Sequence, residues 1–261
     1  MKLSPAKAPR WTVATSAVLA CVISLAWGTA ASAGEEDAPK SDPAKRQVFF
    51  GEQHLHTRNS FDAFTVGCRQ TWEEAYRYAR GEEITLSTNG QKIQRGTPYD
   101  FVAITDHSEY FGVLKDLVDP NSPLSKSKFA QGFASGIEDP KGGGKYVSQL
   151  IGTLLDNTPM PAYVVPELLT GNWKKYLATA NKFNDPGKFT AIIAYEWTSI
   201  PDGQNMHRNV FFRDEPPVVP FSSFDSIYPE DLWTYLEIQR NAGIECFAIP
   251  HNGNVSDGWM Y

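Results

Sequence analysis

Val48-Phe49-Phe50-Gly51-Glu52-Gln53-His54-Leu55-His56-Thr57-Arg58-Asn59-Ser60-Phe61-Asp62 reads as a short apolar strand ending in a turn that carries His54 and His56. Residues two apart in an extended segment point to one face, so two imidazoles at the carboxyl end of a strand can grip one metal ion. Neutral imidazole nitrogen suits zinc, iron and manganese, and an unperturbed histidine is mostly neutral near pH 7. Asp62 can add an oxygen ligand from the loop. A His-x-His pair also occurs as two surface histidines beside a turn, so the reading depends on what the rest of the chain brings to it.

Outward from this stretch the chain alternates between helix and strand signals. Thr71 as N-cap, Glu74 as its capping-box partner and Gly81 as the stop predict a short helix. Phe101-Val102-Ala103-Ile104 and Phe189-Thr190-Ala191-Ile192-Ile193-Ala194 are apolar runs of the kind buried on both faces of a parallel sheet, and the second leads into Tyr195-Glu196-Trp197. Asn209 to Phe212 is a fourth strand. Pro229 opens a helix whose N-terminal dipole is complemented by Glu230 and Asp231 and which Gly243 ends; a fifth strand, Ile244 to Ile249, delivers Pro250-His251. This alternation predicts a parallel α/β architecture, with the site at the carboxyl ends of its strands. Between residues 113 and 188 repeated prolines predict an irregular insertion, with one helix from Trp173 to about Asn181. Its Gly142-Gly143-Gly144 run is no phosphate loop, because Lys145 is followed by Tyr146 and the earlier glycine of that motif is missing.

His54, His56, His107 and His251, four of the five histidines, lie just past predicted strand ends, as does Glu196. The fifth, His207, follows Glu196 by a loop. In an α/β barrel those ends share one face, so the clustering carries more weight than any single residue. Mixed nitrogen and oxygen donors favour zinc or manganese, with iron as a further candidate, over calcium or an iron–sulfur cluster. Asp106 is placed to orient a neighbouring imidazole. Arg58, Arg69 and Arg208 lie near these segments and are candidates for contact with an anionic substrate. Trp72, Trp173 and Trp233 sit at helix-like positions and read as packing residues.

The order His54-x-His56, Asp62, Thr105-Asp106-His107, Glu196, His207 and Pro250-His251 resembles the polymerase and histidinol phosphatase (PHP) superfamily, metal-dependent phosphoesterases on a distorted seven-stranded β/α barrel. Gly51 to Thr57, Ala194 to Trp197 and Ile249 to Asn254 resemble in detail the bacterial DUF3604 family. The resemblance implies two or three divalent ions. His54 and His56 would hold one, with Glu196 bridging to another. His107, joined by Asp62, would serve a second, and His207 with His251 a third beside Glu196. It gives Glu196, His107 and Asp106 the catalytic roles, and implies hydrolysis of a small, anionic ester by metal-activated water. The PHP pattern ends in a late Asp-x-His pair that does not appear before Tyr261, so the expectation is an incomplete, inactive amino-terminal portion of such a barrel. Amidohydrolases also open with His-x-His but need a bridging lysine that none of the marked strand ends presents. A non-catalytic, secreted metal-binding protein is the remaining alternative.

Composition bounds the partners. The net charge is −6 and the pI about 5.4, without a basic block, which leaves no footprint for nucleic acid or anionic lipid. Oligomeric state has no signature. Lys2, Lys7 and Arg10, the apolar run Trp11 to Trp27 and Ala31-Ser32-Ala33 form the pattern of a secretory signal peptide over residues 1–33, predicting a secreted or periplasmic protein without an integral membrane anchor after cleavage. Lipidation at Cys21 is a minor alternative. A polar leader follows over 34–46, and the barrel portion spans 47–261. The mature chain keeps Cys68 and Cys246, open to pairing in an oxidising compartment.

Overall fold

Five short apolar runs pair into one sheet, and helices cover mainly one side of it. The computed structural model describes residues 44, 46–138, 144–213, 216 and 219–260. Its elements in chain order are β1 (Gly51–Leu55), α1 (Phe61–Thr65), α2 (Trp72–Ala79), β2 (Ile84–Thr85), β3 (Lys92–Ile93), β4 (Phe101–Ile104), α3 (Leu114–Val118), α4 (Lys128–Glu138), α5 (Gly144–Leu155), α6 (Pro166–Phe183), β5 (Thr190–Trp197), β6 (Arg208–Phe212), α7 (Pro229–Asn241) and β7 (Cys246–Pro250). The signal segment with Cys21 and the leader, apart from residues 44 and 46, lie outside the described residues. Among the described residues no helix is long and apolar enough to cross a membrane.

The main sheet has the order β1-β4-β5-β6-β7, and β2 and β3 form a separate antiparallel pair. β1, β4 and β5 are parallel neighbours, whereas β6 is antiparallel to both β5 and β7. The architecture is thus a mixed sheet, not the all-parallel one expected. The physical reason lies in residues 198–207: they contain only a single 3-10 turn, too little chain for the helical crossover that a parallel return requires. β1 and β7 are the edges, so the described strands form an open sheet rather than a closed barrel. At the β1 edge the strands approach closely. A Cβ on Gly51 would lie 2.3 Å from the Phe101 carbonyl oxygen, so only glycine fits.

Alternation along the strands divides the sheet. Val102, Ile104, Ile193, Tyr195, Trp197, Val210 and Phe212 face a large core built with α2, α6 and α7, in which Trp173, Tyr176 and Tyr76 are fully buried. The opposite face carries a small cluster of Ala103, Ala194 and Phe211, flanked by Ile192 and Ile249. α2 forms as its signals require: the Thr71 hydroxyl accepts from Glu74 N, and the Glu74 carboxylate accepts from Thr71 N. α6 adds an unusual link. The Tyr176 hydroxyl donates to the Ile104 carbonyl (2.9 Å) and accepts from Ala194 N (3.1 Å). It stands between two groups that a parallel ladder in this register would pair directly.

The expected irregular insertion is helical instead. α3, α4 and α5, together with α1, enclose a second core of Phe61, Phe64, Leu114, Leu117, Phe133, Leu150 and Leu154 among others, and α6 runs well beyond the expected Trp173–Asn181 segment. The prolines mislead because Pro123, Pro161 and Pro166 occupy first-turn positions, where a missing N–H costs nothing and the fixed φ favours the turn. Pro140, Gly142 and Gly143 lie outside the described residues, and Gly144 opens α5. The cysteines do not pair: Cys68 and Cys246 are free thiols. Cys68 follows α1 on the β1 side, whereas Cys246 opens β7 at the other edge and points its Sγ toward the Leu236 carbonyl (3.5 Å).

Candidate metal centre

Four strands of the sheet, β1, β4, β5 and β7, run the same way, so their carboxyl ends meet at one edge. The reversed strand β6 starts there. This places His54 and His56 from β1, His107 after β4, Glu196 near the end of β5, His207 before β6 and His251 after β7 around one point. The register keeps them level: Glu196 bridges to His107, Trp197 opposes Arg208, and Arg208 opposes Pro250.

Glu196 is the centre of the cluster and is 1% exposed. Its Oε1 lies 2.7 Å from His207 Nδ1 and 2.8 Å from His251 Nε2. Its Oε2 lies 2.7 Å from His56 Nε2, 3.6 Å from His107 Nδ1 and 3.9 Å from His54 Nε2. Asp62, on α1, forms a second acidic pole. Both its oxygens lie 2.9 Å from His56 Nδ1, and Oδ2 lies 3.5 Å from His107 Nε2. Three groups have ligand atoms within 4.8 Å of one another: His54, His56 and Glu196; His56, Asp62 and His107; and His107, Glu196 and His207. His251 joins through Glu196 and through its ring, 4.4 Å from that of His54.

Burial and charge oppose each other here. Burial lowers the His54 pKa to about 4, only partly offset by Glu196. It also lowers that of His207. Burial acts the same way on His56, but the Asp62 carboxylate hydrogen-bonded to it and the Glu196 carboxylate 2.7 Å away win, raising it to about 10. For Asp62 and Glu196 burial pushes upward, yet the imidazoles prevail and hold both carboxylates far below the usual range. Asp106 behaves differently. Burial outweighs its neighbours and raises its pKa, while its oxygens accept from Thr57 N (2.6 Å), the Thr57 hydroxyl (2.7 Å) and Trp72 Nε1 (2.6 Å). Asp106 therefore anchors the backbone next to His56 instead of orienting an imidazole, the role its place in the sequence suggests.

The family described as "Protein of unknown function (DUF3604)" matches residues 43–261. The chain belongs to the DUF3604 family. No curated protein and no solved structure matches it.

The donor set of this DUF3604 chain fits divalent ions. His56 Nε2, Glu196 Oε2, His207 Nε2 and both ring nitrogens of His251 are buried without an aligned hydrogen bond among the described residues, although several lie within 3 Å of an opposite partner. Buried polar atoms that converge without bonding one another are a costly arrangement for a purely structural cluster. Five imidazoles with two carboxylates are the ligands that zinc and manganese accept. Two partners were missed by sequence reasoning. Thr105 Oγ1 lies 2.8 Å from His54 Nδ1, and Thr198 Oγ1 bonds His107 Nδ1. If each Nδ1–H donates to its threonine, each Nε2 keeps its lone pair toward the carboxylates. Thr105 was visible beside Asp106-His107, but nothing local ties Thr198 to His107. Of the arginines, Arg58 and Arg69 line a cavity of about 320 Å³ with Lys115, Asp116 and Asp119, whereas Arg208 is buried and donates to the Met206 carbonyl. Trp72 packs as expected and also holds Asp106; Trp233, expected to pack, is half exposed because it lies on the outer side of α7.

Proposed function

We propose that this DUF3604 chain is a secreted or periplasmic metal-dependent hydrolase of the PHP kind, acting on a small anionic ester, with phosphoesters the first class to test. One observation carries the reading: a buried carboxylate, Glu196, has four imidazoles within 3.6 Å of its oxygens, a fifth at 3.9 Å, and a second carboxylate across two of them. His54, His56, Asp62, His107, Glu196, His207 and His251 would hold two or three divalent ions, zinc or manganese, with iron as a further candidate.

Bound ions of this class lower the pKa of coordinated water and offset charge developing on phosphoryl oxygens. The chain's own residues do the rest. Glu196 and His107, assigned catalytic roles by resemblance, act here as ligands that fix where the ions sit. Asp106 acts at one remove, by fixing Thr57 and thereby the strand end that carries His56. Thr105 and Thr198 set ring orientation. His54 and Asp62 have the most exposed side chains of the set, at 36% and 43%, so substrate would approach between β1 and α1. Arg58, between β1 and α1 in the chain, and Arg69, shortly after α1, line the 320 Å³ cavity and would attract an anionic group.

The test is elemental mass spectrometry of purified protein spanning residues 34–261, beside a His54→Ala/His56→Ala variant. About two or three equivalents of zinc, manganese or iron in the wild type, lost from the variant, are expected of a multinuclear hydrolase site, and hydrolysis of a phosphoester panel should follow the metal content. A folded wild-type preparation that carries no metal and takes up none on reconstitution overturns the proposal.

A further inference from the structure

Glu109 is a fully buried carboxylate that the site as described does not use. Its Oε1 accepts from Ser223 N at 2.6 Å and from Thr198 N at 3.3 Å, with the Ser108 hydroxyl at 3.1 Å. Two of these contacts lead toward the centre. Thr198 carries the hydroxyl that bonds His107 Nδ1. Ser108 donates its amide to the Glu196 carbonyl at 2.8 Å and shares its hydroxyl with that carbonyl at 3.1 Å. Ser223 belongs to the segment between β6 and α7, so one oxygen ties three stretches of chain together. Glu109 Oε2, by contrast, is buried with no hydrogen-bond partner among the described residues. A carboxylate buried in this way is costly unless positive charge lies near.

We propose that Glu109 is a positioning residue of the metal centre, holding Thr198 behind His107 and Ser108 behind Glu196 through one oxygen, and adding a buried negative charge beside the histidine cluster. The inference rests on the metal reading above. It separates two roles that a carboxylate can combine. As a hydrogen-bond acceptor, Glu109 joins the β4 end, the β5 end and the loop before α7, and a glutamine oxygen can replace it. As a charge, it offsets the positive charge that divalent ions bring to five neutral imidazoles, and glutamine cannot replace that.

The experiment uses cobalt(II) as the probe, with affinity read by competition against a chelator and ligand geometry read from the visible absorption of the loaded protein. Glu109→Gln should leave the melting temperature of the metal-free protein within about 2 °C of wild type, weaken cobalt(II) binding about 10- to 100-fold as removal of an outer partner does, and shift the absorption bands. A Glu109→Gln protein that folds and loads with wild-type affinity and spectrum overturns the proposal, because the residue is then only a packing acceptor. Should Glu109→Gln fail to fold, Thr198→Val decides. It keeps the amide that Glu109 holds and removes the hydroxyl behind His107, so a comparable loss of affinity supports the relay and unchanged affinity overturns it. A wild-type chain that binds no cobalt(II) is a different outcome: it overturns the metal reading itself, and this inference with it.

Discussion

The two faces of the central sheet are made from the same strands and do different work. Along β5, Ile193, Tyr195 and Trp197 enter the core beneath α2, α6 and α7, while Ala194 and Glu196 lie on the other side with Ala103 and Phe211. One face is filled by large aromatic side chains beneath helices, and the other carries a smaller cluster around Ala103, Ala194 and Phe211 and ends in the histidine cluster. The period of two lets a single strand hold a packed anchor at Trp197 and a buried charge at Glu196 without either entering the other's surroundings. Rigidity on the helical face then supports precision on the other, as a metal centre requires.

Substitutions on the helical face should lower stability and spare the candidate metal centre of each folded molecule; those at the histidine cluster should do the reverse. Trp173→Ala is the strongest expected case. Its ring is fully buried against Phe111, Tyr176 and Tyr195, so its loss should cost about 3–5 kcal/mol in chemical denaturation. Glu196→Gln should leave a folded protein whose metal affinity has dropped at least about 100-fold, roughly 2.7 kcal/mol. The contrast fails if Glu196→Gln unfolds the chain or keeps its metal. Tyr176→Phe sits on the boundary. It leaves the Ile104 carbonyl and the Ala194 amide to find each other across the gap, and should cost about 1–3 kcal/mol with little change in metal binding.

A pH experiment sharpens the same contrast. The raised His56 pKa stabilises the metal-free fold fully below about pH 6.5, and this contribution is lost as pH rises through about 10. A metal ion taken up at His56 would have to displace that proton, whereas His54, lowered to about 4, is already neutral. Loading at pH 8 should therefore release about one proton from His56, visible by calorimetry as a heat that depends on the ionisation enthalpy of the buffer. A buffer-independent heat would count against the assignment. The smallest effect belongs to Phe247→Ser on the thinly covered face. Phe247 stacks on Phe211 but is 54% exposed, and its loss should change stability by only about 0.5 kcal/mol.

Much of this was legible in the sequence wherever the signal was local. The Thr71–Glu74 cap, the apolar runs of β4 and β5 and the histidines beyond strand ends each follow from neighbours a few residues apart. The reversal of β6 was harder to read, since Asn209 to Phe212 has the same composition whichever way it runs. His207 joins the cluster because of that reversal. Thr198 and Glu109 were silent for a related reason: their partners lie far away in sequence, and a threonine or glutamate beside a strand carries no mark of what it will meet. The prolines of the insertion were visible but ambiguous, because the residue that breaks a helix in its interior starts one at its first turn.

The Tyr176 hydroxyl between β4 and β5 has a consequence for motion. The Ala194 amide lies in a central strand but is held by a side chain of α6 rather than by the neighbouring strand. Its exchange with deuterated solvent should follow excursions of α6 away from the sheet, while the amides around it wait for the strands to separate. A single amide at the middle of the sheet would then time the breathing of a helix.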